Sequence, residues 1–233
     1  MTPGARPTRL TIVEDHVLFA ESVATNLAAE GYLVKRINLA DSRATLASVL
    51  ASVLRSVPRV VLLDLDLGRI GDGIRLVAPL AGSGVSVVVL TDGLSRGTWG
   101  ECLRRGAKAV VPTTGCLEDV LAAVGRIRDG LPAMPAAERA ELVEAALRDR
   151  EETRSLRARL TRLTPREMEI LGALMDGAQV RDIARTCVVS EATVRTQVKS
   201  ILAKLEVQSQ VAAVGAASRV GWRPPGADWN RAS

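Results

Sequence analysis

Four acids in this chain stand where carboxylates can do chemistry together. Glu14 and Asp15 follow the apolar run RLTIV (9–13), Asp64 closes an apolar run in VVLLDLDLG (60–68), and Asp66 lies two residues beyond it. Acids at the end of a buried strand are costly unless something charged meets them. Parallel strands all end on one side, so Glu14, Asp15 and Asp64 are expected to converge on one rim. Like charges in one cleft raise each other's pKa unless a cation is present. An oxygen-rich cluster of this kind favours Mg2+. Asp64 is then placed to accept a phosphoryl group. Thr91, closing VVVLT (87–91), is placed to hydrogen-bond a phosphoryl oxygen. The competing reading is plainer: two acids at helix starts, with Asp15 capping the first helix, beside an incidental threonine.

A second set is cationic. Arg195, Thr196 and Lys199 fall beside the apolar stripe Val194, Val198, Ile201 and Leu205. On one helix that stripe turns inward and the three polar residues outward, as on a recognition helix entering the major groove. Phosphate contacts supply affinity there and base-edge contacts supply specificity. The plainer reading is solvated charge.

The elements that must position these residues follow from periodicity. RLTIV (9–13), YLVKRI (32–37), RVVLLDL (59–65), VSVVVL (85–90) and KAVVP (108–112) read as five strands. Helical patterns lie between them, over 16–30 and SRATLASVLASVLR (42–55) for example, and again over 115–129. Apolar strands alternating with helices predict an α/β domain, a parallel sheet with helices on both faces. Ligands of such sheets sit beyond the carboxyl ends of the strands. GLPAMP (130–135) breaks the pattern, and a charged helical stretch follows. Leu142, Ala146, Asp149, Thr153, Leu156, Leu160 and Leu163 recur there at alternating four- and three-residue spacing. That is either a solvated linker helix or a parallel dimer seam.

The last third reads as a small all-α domain. Thr164 caps a helix with Pro165 at its first position and Glu167 three residues on, a capping box. A short helix from Val180 to about Thr186, a turn, and a helix from Ser190 to about Leu205 complete a helix-turn-helix. The expected domains are therefore 8–130, a linker helix over 131–162, the helix-turn-helix domain over 163–220 and a tail over 221–233.

Composition agrees. Hydrophobic residues make up 47% of the 233, enough for a core in each domain, and the net charge of +5 permits nucleic-acid binding without requiring it. Cys102, Cys116 and Cys187 have no metal-ligand spacing and read as reduced thiols of a cytoplasmic protein. There is no apolar run of about 18 residues, so no membrane span is expected. The first ten residues lack an apolar centre, so no secretory signal is expected.

These stretches carry two resemblances. IVEDH (12–16), VVLLDLDLG (60–68), VVVLT (87–91) and RRGAKAVV (104–111) resemble the receiver domain of two-component response regulators. The resemblance implies a flavodoxin-like fold, and Mg2+ held by Glu14, Asp15, Asp64 and the carbonyl of Asp66. It further implies Asp64 as phosphoacceptor, a histidine kinase as phosphodonor, and Thr91 as a switch hydroxyl. The chain departs from that pattern. The lysine that follows the family's fifth strand is Thr113 here, its aromatic on that strand is Val110, and the small residue after the switch hydroxyl is Asp92. Lys108 lies about 16 Å from the Thr113 position along an extended strand. The metal half of the pocket is kept and the phosphate-reading half is degraded.

LTPREMEIL (163–171), DIA (182–184) and VSEATVRTQVKSILAKL (189–205) resemble the LuxR-type helix-turn-helix. By that resemblance Arg195, Thr196 and Lys199 read double-stranded DNA. Ser190, Thr193 and Lys204 contact phosphates, and a last helix over 208–219, with Val211, Ala212 and Gly215, pairs a homodimer. Together these imply a transcription regulator rather than an enzyme. Its control stays open between phosphorylation, a small molecule at the degraded pocket, and a receiver that serves only to dimerise. LLDLDLG also resembles the nucleophile motif of haloacid-dehalogenase phosphatases, with Thr91 and Lys108 following in order. The further acidic pair those enzymes need is not found at a strand end after Lys108, since Glu118 and Asp119 fall inside a predicted helix.

Overall fold

The computed structural model describes residues 7–91, 95–113 and 117–224. Asp92, Cys116 and the tail beyond residue 224 lie outside them, and with them the expectations placed there. The chain divides into two compact units, Met1–Arg148 and Asp149–Ser233.

In the first unit five strands form one parallel sheet: β1 (Arg9–Val13), β2 (Leu33–Arg36), β3 (Val60–Asp64), β4 (Ser86–Thr91) and β5 (Ala109–Pro112). Their order is β2-β1-β3-β4-β5. Every residue of β3 is buried, as a central strand covered on both faces must be. The covering helices are α1 (Val17–Ala29), α2 (Leu46–Arg55), α3 (Ile74–Gly82), α4 (Arg96–Arg104) and α5 (Leu117–Arg128). Val23 and Leu27 of α1, Val53 of α2 and Leu80 of α3 pack with Ile12, Leu62 and Val88 in one core. This is the flavodoxin-like architecture. Helix α2 starts four residues later than its pattern suggests, because Thr45 and Ser48 form a reciprocal capping box there.

Helix α6 (Ala136–Leu160) follows. Its leading turns belong to the first unit. Leu142 and Ala146 are buried, and Arg139 donates to the carbonyls of Leu103 and Ala107 at 3.2 and 3.1 Å. A Cβ on Gly100 would lie 1.8 Å from the carbonyl oxygen of Leu142, so glycine is what lets α4 and α6 approach this closely. The trailing turns belong to the second unit, where Leu156 and Leu160 join Leu163 in its core. The apolar members of the linker stripe are thus buried within the chain. That removes the reading of the stripe as a dimer seam.

In the second unit α7 (Pro165–Met175), α8 (Val180–Thr186), α9 (Glu191–Leu205) and α10 (Gln210–Arg219) surround a second core. Val194, Val198, Ile201 and Leu205 of α9 are all buried. Ser190 caps α9 by accepting from the Thr193 amide at 3.1 Å. The last helix begins at Gln210 behind a Ser209 cap and leaves Val211 82% exposed.

Candidate functional site

The carboxyl ends of β1 and β3 bring the acids together. Oxygens of Glu14, Asp15 and Asp64 and a ring nitrogen of His16 all lie within 4.8 Å of one another. Glu14 and Asp64 are buried at 6% exposure each, while Asp15 and His16 face solvent. Gly73 supports the rim from behind, since a Cβ there would lie 2.2 Å from the Asp64 carbonyl oxygen. Asp15 does not cap α1: the cap residue is His16, and its side chain makes no capping bond. Both acids therefore remain available to the cleft.

The electrostatics are those of an unneutralised cluster. Burial, and then the negative charge of Glu14, hold the Asp64 carboxyl well above the usual carboxylate range, against a hydrogen bond from the Asp66 amide at 3.1 Å. His16 Nδ1 lies 3.1 Å from Glu14 Oε1 and 3.0 Å from Asp15 Oδ1. Its pKa is raised first by the Glu14 hydrogen bond and then by the charge of Asp15. The other oxygen of Glu14, Oε2, is buried without a hydrogen-bond partner among the described residues. A carboxylate only accepts, so what is missing at that atom is a donor or a cation. Hard oxygen donors on one rim with a buried oxygen unpaired fit a divalent ion such as Mg2+.

Thr91 and Thr113 both reach this rim. Thr91 shares a cleft of about 550 Å3 with Asp64, Asp66 and Thr98. Thr113 shares one of about 520 Å3 with Glu14, Asp64 and Asp66, and its amide donates to the Thr91 carbonyl at 2.9 Å. Lys108 is at the other end of the sheet, where its amide pairs with Val87 near the start of β4. Among the described residues no lysine lines either cleft. The side chain of Asp66 accepts from the Gly68 amide at 2.9 Å.

The second candidate surface is α9. Arg195, Thr196 and Lys199 are exposed on the face away from its buried stripe. Arg195 makes a loose 3.3 Å pair with Glu191, and no carboxylate of the described residues pairs with Lys199. Ser190 and Thr193 are exposed at its start, their hydroxyls 2.9 Å apart. Lys204 differs from expectation. Its ammonium lies 2.6 Å from Glu167 Oε2, and Ser200 donates to Glu167 Oε1 at 2.6 Å. The Glu167 side chain is 3% exposed, and the Lys204 ammonium is engaged there in tying α9 to α7. Burial alone would raise the Glu167 carboxyl, but the bonds from Lys204, Ser200 and Thr164 outweigh it and hold it at about 2. A second tie, from Arg166 to the carbonyl of Cys187 at 3.2 Å, links α7 to the turn before α9. The sequence marks Glu167 only as a capping residue. Its partners lie 33 and 37 residues away, beyond any local pattern.

Residues 161–217 match the family of bacterial regulatory proteins described as the luxR family. This segment is a LuxR-type helix-turn-helix domain. Beyond it, the chain is 29% identical over 213 residues to the nitrate/nitrite response regulator protein NarP of Escherichia coli, covering 91% of this chain and 94% of that one. It is 25% identical over 171 residues to the transcriptional regulatory protein DesR of Bacillus subtilis, covering 73% and 78%. Among solved structures, an RcsB response regulator of Salmonella typhimurium aligns with 93% of this chain and all of its own, at 21% identity and a TM-score of 0.49. The acidic rim lies in the part of the chain that precedes the LuxR-type domain, and the exposed face of α9 lies within that domain.

Proposed function

We propose that this chain is a DNA-binding transcription regulator of the response-regulator class, working as a homodimer in the cytoplasm. The observation that carries the reading is α9. It sits second in a helix-turn-helix, buries one apolar stripe, and presents Arg195, Thr196 and Lys199 outward. In this reading α9 enters the major groove, where Arg195 and Thr196 reach base edges. Lys199 meets phosphate, as do Ser190 and Thr193 at the helix start, where the positive end of the helix dipole adds attraction. The exposed Val211 face of α10 is the dimer contact.

The acidic rim is the control site. Glu14, Asp15, Asp64 and the carbonyl of Asp66 would hold Mg2+, which would neutralise the carboxylates and supply a positive charge for phosphoryl oxygens. Asp64 is the acceptor for a phosphoryl group from a histidine kinase, and Thr91 is the switch hydroxyl. Thr113 offers a neutral hydroxyl where a cation would pair with the phosphoryl group, and a charge-assisted bond is roughly twice as strong as a neutral one. Phosphorylation is therefore slow or poorly transmitted. The second reading, a receiver governed by a bound small molecule, is favoured by that same Thr113 position.

Footprinting tests the first part. Replacing Arg195 and Lys199 together by alanine should abolish specific protection, with Arg195 contributing about 1–3 kcal/mol and Lys199 about one unit of the salt slope. Equal protection of the same operator by the double variant rules out the groove assignment.

A further inference from the structure

Among the described residues, three clefts that open from the acidic rim have walls of different charge. The one toward Thr91 is walled by Asp64, Asp66 and Asp72, with no cationic side chain among the described residues that line it. The one toward Thr113 is walled by Glu14, Asp64 and Asp66, with His16 already bonded to Glu14. The third, about 320 Å3, lies on the β2 side, where Arg36 and Arg69 line a wall shared with Glu14 and Asp15. An anion entering either of the first two meets carboxylates. In the third it meets Arg36 and Arg69 beside Glu14 and Asp15.

The two arginines do different work. Arg69 donates to the carbonyls of Leu39, Asp41 and Ser42, which fixes the loop after β2 as a wall of the cleft and leaves the positive charge in place. Arg36 gives one bond to Glu21, at 3.0 Å, on the exposed side. A guanidinium has five N–H donors in a fork suited to phosphate oxygens, so most of its capacity remains. Against the two arginines stand Glu14, Asp15 and Asp64 of the rim and Glu21, which is paired with Arg36. By itself the cleft is therefore negative, and a divalent cation seated on the rim, near the unpaired buried Glu14 Oε2, brings it to neutrality, so that an anion is admitted only with the cation. The cleft opens beyond the carboxyl ends of the strands, the edge of the sheet at which sheets of this kind bind ligands, on the β2 side of β1.

We propose that this cleft binds a free phosphate-bearing small molecule as its Mg2+ complex, with a phosphate against Arg36. The proposal rests on the rim being a Mg2+ site and adds the class of effector: an anion arriving from solution on the β2 side, independent of phosphoryl transfer to Asp64.

The full-length protein is titrated by calorimetry with three probes: Mg2+ alone, pyrophosphate, and a nucleoside diphosphate. Each phosphate probe is tested with Mg2+ and with EDTA. Mg2+ alone binds, and the phosphate probes bind only in its presence. Equal affinity for the two marks recognition of the phosphates themselves, and tighter diphosphate binding marks a cleft that also holds the organic part. Arg36→Ala, on an exposed edge-strand residue, weakens the anion about tenfold and leaves Mg2+ binding and the circular dichroism unchanged. Arg36→Lys recovers part of the loss, and Thr113→Ala has no effect. If Mg2+ binds but no phosphate probe does, or Arg36→Ala binds as wild type, or Thr113→Ala is the variant that weakens binding, the proposal is wrong while the metal site stands. If Mg2+ itself does not bind, both fall.

Discussion

Two buried acids in this chain sit in opposite circumstances. Glu167, in the LuxR-type domain, receives donors at both oxygens, from the Thr164 amide, Ser200 and Lys204. Glu14, on the rim of the sheet, has one oxygen bonded to His16 and the other buried without a partner among the described residues. The first acid is held far down at about 2. The rim drives its own central carboxyl, Asp64, the other way. A buried carboxylate whose acceptor sites are filled by the chain is part of the fold. One whose sites the chain leaves open is waiting for something from outside it.

The largest expected effect probes the satisfied acid. Glu167→Ala strands Lys204 and Ser200 and should destabilise the C-terminal domain by roughly 3 kcal/mol. Urea denaturation followed by circular dichroism reads it, and a loss below about 1 kcal/mol would reduce Glu167 to an ordinary cap. The same acid sets a pH signature. Its folded pKa of about 2 lies below the unfolded value of 4.5, so its stabilisation is complete above that unfolded value and drains away as pH falls from there toward 2. An acid titration of the wild type against Glu167→Gln should show the two curves converging across that window. Parallel curves would break the comparison from this side.

Next in size is the opposite sign on the rim. Asp64→Asn removes a charge from an unbalanced cluster, so in EDTA it should stabilise the first unit by roughly 1–2 kcal/mol. Added Mg2+ should stabilise the wild type and not the variant. Destabilisation in EDTA would mean that the rim is already neutralised from within. The smallest expected effect is Thr113→Lys. A cation there should speed labelling of Asp64 by acetyl phosphate about fivefold, read by intact mass. An unchanged rate would mean that the missing charge does not limit this site.

Much of this was legible before any coordinates. The runs ending in Glu14 and Asp64 form adjacent parallel strands because their apolar content demands burial on both faces, and parallel ends then fix one rim. The Thr164–Glu167 box and the stripe of α9 are equally local, each readable within a few residues. What stayed hidden depends on distance along the chain. His16 closes the acidic cluster, and nothing in its local pattern marks it as a partner of Glu14 and Asp15. Lys204 looked like a surface cation because Glu167, its partner, lies a whole helix-turn-helix away. Arg36 and Arg69 meet Glu14 only once β2 and the turn after β3 are brought to one side of β1. The linker stripe kept its period but not its meaning, because period alone does not say whether a face meets its own chain or a second copy.

The seat at Gly100 bears on where this protein can be cut. A fragment ended at Gly130, the boundary suggested by the break in pattern, would strip α6 from α4 and leave the buried Gly97, Gly100 and Leu103 facing water. It would also leave the carbonyls of Leu103 and Ala107 without Arg139. A fragment ended at Arg148 keeps all of these covered. The shorter piece should therefore be the sticky one in size-exclusion chromatography and the longer one well behaved, which makes the first three turns of α6 part of the smallest self-sufficient form of the receiver.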